Sequence, residues 1–203
     1  MRGVAIDKRR VPFRSIGELL SRRVTEEPGA EWLSFFPDAG ASVRYTRREF
    51  YDAVRGTAAE LIAAGVSRGD RVATVAHNNA DTVIQYFAAW LIGAVVVPIN
   101  VTEDDARLRY ILENSGSKLA YVRSPYLSRI RQLAESLPHV AIVDVNDGWS
   151  SRNATGTPPD ERTGAVCLDD EALIVRRLEH VYRASLERRG IGVPAALASE
   201  VQA

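Results

Sequence analysis

A single cysteine, Cys167, leaves this chain without the means to form an intrachain disulfide, in keeping with a reducing compartment. Net charge is also missing: Lys plus Arg and Asp plus Glu both number 26. No overall field therefore draws it to nucleic acid or to an anionic membrane surface, and the arginines are scattered, rarely alternating with aromatics. No apolar run is long enough to span a bilayer. The longest, residues 87–99, is interrupted by Gly93 and Pro98. Asp7-Lys8-Arg9-Arg10 has no apolar stretch behind it, so the start does not read as a secretory signal. These absences predict a cytoplasmic protein with no nucleic-acid partner and no membrane span. What remains, at 46% hydrophobic and 26% charged over 203 residues, is ordinary globular material.

The richest stretch is Trp90-Leu-Ile-Gly-Ala-Val-Val-Val-Pro-Ile-Asn100. It reads as the end of a buried helix, a Gly93 stop and a strand apolar at every position, closed by Pro98. A strand without alternation expects cover on both faces, as in a parallel sheet. Residues 71–76 and 118–122 read as strands before and after it, each a helix-length away. The predicted fold class is thus α/β, with parallel-sheet layers and flanking helices, and residues 94–98 as the central strand.

Local signals set out the other elements. Ser15 and Glu18 have capping-box spacing ahead of a helix over 16–24, stopped by Pro28-Gly29. Residues 32–36 and 42–45 read as a hairpin around Pro37-Asp-Ala-Gly40. Thr46 and Glu49 form a second capping box, followed by a stripe of Phe50, Val54, Ala58, Leu61 and Ile62 that Gly65 ends. His77-Asn-Asn79 is a polar turn before a helix over 80–92. Glu103, Asp104 and Asp105 fill the first turn of the next helix as a solvated start. Ser124-Pro125 caps a helix through Leu137, and residues 140–145 form a strand. Residues 146–169 read as a long loop, 171–175 as a short strand, 176–189 as an Arg-rich helix and 190–203 as a frayed tail.

Few of these residues suggest chemistry by themselves. Gly65 and Gly69 read as turn glycines rather than a phosphate cradle. His77 stands where ligands approach an open α/β sheet, although a lone His beside two Asn is more commonly a solvated turn. His139 and His180 have no partners at metal-ligand spacing, and Ser15, Ser115 and Ser124 read as caps rather than nucleophiles. No catalytic, cofactor-binding or metal residue is assigned.

Taken in order, the motifs resemble the adenylate-forming acyl-CoA synthetases, the AMP-binding fatty-acid–CoA ligase family. Val43-Arg-Tyr-Thr-Arg-Arg-Glu49, Gly65-Val-Ser-Arg-Gly-Asp-Arg-Val72, the Asn-containing turn at 77–79, residues 90–100 and Tyr110-Ile-Leu-Glu-Asn-Ser-Gly116 carry the likeness. It runs from about Ile16 to Val175. The resemblance implies residues 1–14 as a tail and 15–175 as part of the family's N-terminal domain, with 15–69 and 70–175 contributing to different sheets. Residues 176–203 are divergent. It also implies an ancestral ATP-dependent ligation of a carboxylic acid to CoA, using ATP, Mg and CoA. In the family, however, a strand like 171–175 leads into a Thr/Ser/Gly-rich loop ending in Pro-Lys-Gly, whose amides and hydroxyls hold ATP phosphates. Here Arg176-Arg-Leu-Glu follows, and no such loop occurs in the 203 residues.

The expectation is a truncated relative, inactive alone, for which no cofactor is expected. The alternatives are a regulatory module pairing with a full-length relative, or one half of a split ligase. Incomplete sheets predict a homo-oligomer or a complementing synthetase partner. The abrupt change after Val175 suggests a frameshifted reading of a former phosphate-loop region, since the codons for Val181 to Ser185 admit Ser/Thr/Gly readings in another frame.

Overall fold

The computed structural model describes residues 13–38, 40–145 and 172. In chain order its elements are α1 (Ile16–Glu26), β1 (Glu31–Phe35), β2 (Val43–Thr46), α2 (Arg47–Ala63), β3 (Arg71–Val75), α3 (Ala80–Leu91), β4 (Val95–Ile99), α4 (Asp105–Ser115), β5 (Ser117–Arg123), α5 (Ser124–Ala134) and β6 (Ala141–Val145). They form two compact units. The first holds the described residues up to Gly69 together with 78–94. The second holds 70–77, 95–145 and Ala172. The readings for residues 1–12, for the 146–169 loop, and for the 171–175 strand and the tail after it, lie outside the described residues, apart from Ala172.

In the first unit α2 is the centre. Its capping box is complete: the Glu49 N–H donates to Thr46 Oγ1 (3.2 Å) and the Thr46 N–H to Glu49 Oε2 (2.8 Å). Its end is a Schellman motif, with Gly65 at φ 82°, the Gly65 N–H on the Ile62 carbonyl (2.8 Å) and the Val66 N–H on the Leu61 carbonyl (2.9 Å). Phe50, Val54, Ala58 and Leu61 are fully buried, whereas Ile62 is 43% exposed and leaves the expected stripe. It follows Leu61 by one residue, about 100° round the helix, and that rotation carries it past the packed face. The box predicted at Ser15 is half formed. Ser15 Oγ accepts from the Glu18 N–H, but the Glu18 carboxylate takes the Arg14 N–H and Nε instead, and Arg14 holds its carboxyl below the usual range.

The hairpin β1–β2 is antiparallel, with Leu33 opposite Tyr45 and Phe35 opposite Val43. Phe50 stacks between Trp32 and Phe87, and α3 repeats the Schellman ending at Gly93 (φ 74°), with the Ala94 N–H on the Ala89 carbonyl (2.9 Å).

Two polar groups in α2 carry expected outcomes. Thr57 is fully buried and its hydroxyl has no hydrogen-bond partner. Leaving a buried hydroxyl unpaired costs about 1–3 kcal/mol, so Thr57→Val, of similar shape, is expected to stabilise the protein by about 1–2 kcal/mol in urea titrations. Burial pushes the Glu60 carboxyl above its ordinary range. The folded state then favours the protonated acid, and this contribution is full below the ordinary Glu range and lost as pH rises through the raised one. Glu60→Gln should raise Tm at neutral pH, with the gain vanishing as pH falls below the ordinary Glu range.

Among the described residues the second unit forms a four-stranded parallel sheet of order β4-β3-β5-β6. Its core comprises Ala73, Val75, Val97, Ile99, Ala120 and Val122 from the strands and Leu108, Leu112 and Ile130 from α4 and α5. β3, β4 and β5 are buried almost without alternation, as their apolar composition requires, but β3 and β5 rather than β4 are the interior strands of this order. β4 lies outermost among the described strands, with its Val96 N–H reaching the Ala172 carbonyl (3.0 Å). Pro98 does not end the strand; it pairs with Thr74 inside it. Alternate N–H groups of a strand point the same way, so the nitrogen of Pro98 faces the outer side as that of Val96 does, and no bond to β3 is lost.

Two helix boundaries also move. Asn100 Oδ1 accepts from the Thr102 N–H (3.1 Å) and Oγ1 (2.9 Å), which turns the chain first. Asp104 is then the N-cap, bonded to the Arg107 N–H, and α4 begins at Asp105. Ser124 is the first residue of α5 rather than its cap. Arg123 takes the cap position without a side-chain capping bond, and the helix ends at Ala134. Among the described residues no helix is long and apolar enough to cross a membrane.

Candidate functional site

Strand order reverses at β3: the chain leaves β3 for β4 on one side, then crosses to β5 on the other. In open parallel sheets the crevice beside such a reversal, at the carboxyl ends, is where ligands bind. The side chains placed there by the second unit are His77 after β3, Asn100 after β4, and Tyr126 and Arg129 on α5.

His77 is exposed and shares a hydrogen bond between its Nε2 and the Tyr126 hydroxyl, with the rings edge-to-face at 74° and centroids 5.2 Å apart. Each nitrogen of the Arg129 guanidinium makes one hydrogen bond. Its Nε donates to Asp105 Oδ1 (2.6 Å), one terminal nitrogen to the Glu103 carbonyl (2.7 Å) and the other to the Val101 carbonyl (3.3 Å). The three acids read as a solvated start therefore have separate duties. Asp104 caps α4, Asp105 holds Arg129, and Glu103 lies 3.8 Å from Arg107 Nε.

The other singled-out residues are not gathered here. His139 is exposed beside the amino end of β6. Ser115 is buried and bonded to Ser117 Oγ (2.7 Å) and its N–H (3.2 Å); it is the last residue of α4, and Gly116 rather than Ser115 holds the cap position. Asn79 is the N-cap of α3, accepting from the Thr82 N–H (2.9 Å). Gly69, at φ 82°, has open space where a Cβ would stand, so its glycine serves a turn and not a close approach. His180 lies outside the described residues.

Sequence reasoning weighed His77 but missed Tyr126 and Arg129. Their partners are 49 and 24 residues away in the chain, and no local spacing encodes such pairings. Among the described residues the one hydroxyl beside a possible base at this end of the sheet is that of Tyr126, against His77 Nε2. Among the described residues no three His, Cys, Asp or Glu side chains gather where a metal ion could be held. Each nitrogen of the Arg129 guanidinium, a cation at this end, already donates to Val101, Glu103 or Asp105.

The architecture is that of a parallel α/β layer accompanied by a separate hairpin-and-helix unit, and comparison with known proteins gives it a family. Residues 20–176 match the AMP-binding enzyme family, and the chain belongs to it. It is 32% identical over 107 residues to 4-hydroxybutyrate–CoA ligase 2 of Metallosphaera sedula, covering 51% of this chain and 20% of that protein. Against the long-chain-fatty-acid–CoA ligase FadD13 of Mycobacterium tuberculosis it is 31% identical, covering 56% and 22% respectively. The crystal structure of the N-terminal domain of FACL13 from Mycobacterium tuberculosis superposes with a TM-score of 0.64 at 26% identity, over 80% of this chain and 41% of that one. The chain thus spans about one fifth of these two curated relatives.

Proposed function

We propose that these 203 residues form a scaffold portion of an acyl-CoA ligase, the enzyme class that joins a carboxylic acid to CoA through an acyl-adenylate, and do not perform that reaction by themselves. The observation that carries the reading is the break at Val175. The family likeness follows the chain through β3, β4 and β5 and up to Arg176. There Arg176-Arg-Leu-Glu stands in place of the phosphate-holding loop. Adenylation needs the phosphates clamped and the charge of departing pyrophosphate stabilised. Arg129, a described cation at this end of the sheet, already bonds its own loop through all three guanidinium nitrogens. A cytoplasmic location and a part in fatty-acid metabolism belong to the same proposal. The test is equilibrium titration of the purified chain with ATP and Mg²⁺. No saturable heat of binding is the expected result, and stoichiometric binding would defeat the scaffold reading.

The sheet edges favour one further reading, in which the scaffold is completed by another chain, either a full-length relative or a separately encoded remainder. Among the described residues the β1–β2 sheet has only two strands, and β6 leaves an outer edge beside half-buried residues. Two-stranded sheets are marginal alone, and open edges invite pairing. Co-expression with a full-length synthetase followed by tandem purification should recover both chains. A monodisperse, cooperatively unfolding monomer that captures no synthetase would count against it.

A further inference from the structure

We propose that α5 acts as a strap across the carboxyl end of the parallel sheet, with Tyr126 and Arg129 as positioning residues for the segments that follow β3 and β4. The two residues are three apart and so share a helix face. Tyr126 fixes the ring of His77, the residue after the β3–Ala76 segment. Arg129 binds the loop after β4 at three points on both sides of the Asp104 cap: the Val101 carbonyl, the Glu103 carbonyl and the Asp105 carboxylate. Charge-assisted bonds of this kind are roughly twice as strong as neutral ones, and the planar guanidinium serves all three only in one orientation.

The helix that carries the strap is itself anchored in the core by Ile130 and Leu133, 0% and 6% exposed. Loops at this end of an α/β sheet are ordinarily the mobile, ligand-facing ones. Here one face of one helix ties both of them down, beside their own Asn100, Asp104 and Asn79 turn and cap bonds. The ends of β3 and β4 are thereby held ready before anything approaches them. This inference does not depend on whether the chain is catalytic.

The test is amide hydrogen exchange read by mass spectrometry on the 203-residue chain, joined to nitrogen NMR of the His77 imidazole. Arg129→Met keeps the aliphatic stem and removes the donors. Amides at 101–105 are expected to exchange about tenfold faster while β3 and β5 keep their protection, as for a local opening. Arg129→Lys, with one point charge, should restore part of that protection. Tyr126→Phe keeps the ring contact and removes the hydroxyl, so the His77 Nε2 resonance should shift while the 101–105 amides stay as they were. Unchanged exchange at 101–105 in Arg129→Met, or faster exchange spread evenly over the whole sheet as a merely structural ion pair would give, overturns the strap. So does an unmoved His77 resonance in Tyr126→Phe.

Discussion

Phe50→Ala is expected to cost the first unit about 3–5 kcal/mol, the range for emptying a fully buried aromatic site. Phe50 is 0% exposed and sits at the first turn of α2 with its ring 5.2 Å from Phe87, edge-on at 82°, and 6.0 Å from Trp32. Phe87 in turn meets Trp90 at 5.3 Å, so one deletion removes the middle of a four-ring chain linking hairpin, α2 and α3. Domain stabilities are commonly about 5–15 kcal/mol, so this loss is a large fraction of the whole. Urea titration followed by tryptophan fluorescence reads it directly, because Trp32 and Trp90 flank the site. Phe50→Leu, which keeps most of the volume, should lose only about 1–1.5 kcal/mol and gives a measurable point if the alanine variant does not fold. A midpoint unchanged in both would mean that α2 is not the centre of this unit.

Leu112→Ala is the corresponding experiment in the second unit, with about 2–5 kcal/mol expected. Leu112 is 0% exposed and belongs to the core cluster with Ala73, Val97 and Val122 of the sheet and Ile130 of α5. Its neighbour Glu113 is exposed. Glu113→Ala should therefore stay within about 0.5 kcal/mol of the parent, as most surface substitutions do. Two adjacent residues with opposite outcomes test the orientation of α4. Equal effects would mean that its buried face is assigned wrongly.

What could be read in the sequence was largely what is local. The Thr46–Glu49 box and the glycine endings at 65 and 93 are decided within a few residues, and each folds as its signal says. The unbroken apolar run at 94–97 announces a doubly covered strand for the same reason. Strand order was not legible, because which strand lies inside depends on the crossovers and not on any strand's own composition. β4, the most apolar stretch, is outermost among the described strands, and β3, of the same length, takes an interior place. Pro98 reads as a terminator until its place in the sheet shows which side its missing donor faces. The helix expected at Thr102 starts late because the Asn100 side chain captures Thr102 first, a competition between two reasonable local signals. The site was legible only in outline. His77 could be placed at a strand's carboxyl end, but Tyr126 reaches it across 49 residues. Arg129 looked like one more surface arginine of α5.

The measurement that bears most directly on the account is pyrophosphate release by the purified 203-residue chain, given ATP, Mg²⁺, CoA and a panel of short, long and aromatic carboxylic acids. A folded chain without its family's phosphate loop should give no release above the protein-free background with any acid. Acid-dependent turnover that follows the chain through purification would contradict the account, since it would mean that residues beyond the motifs identified here hold the triphosphate.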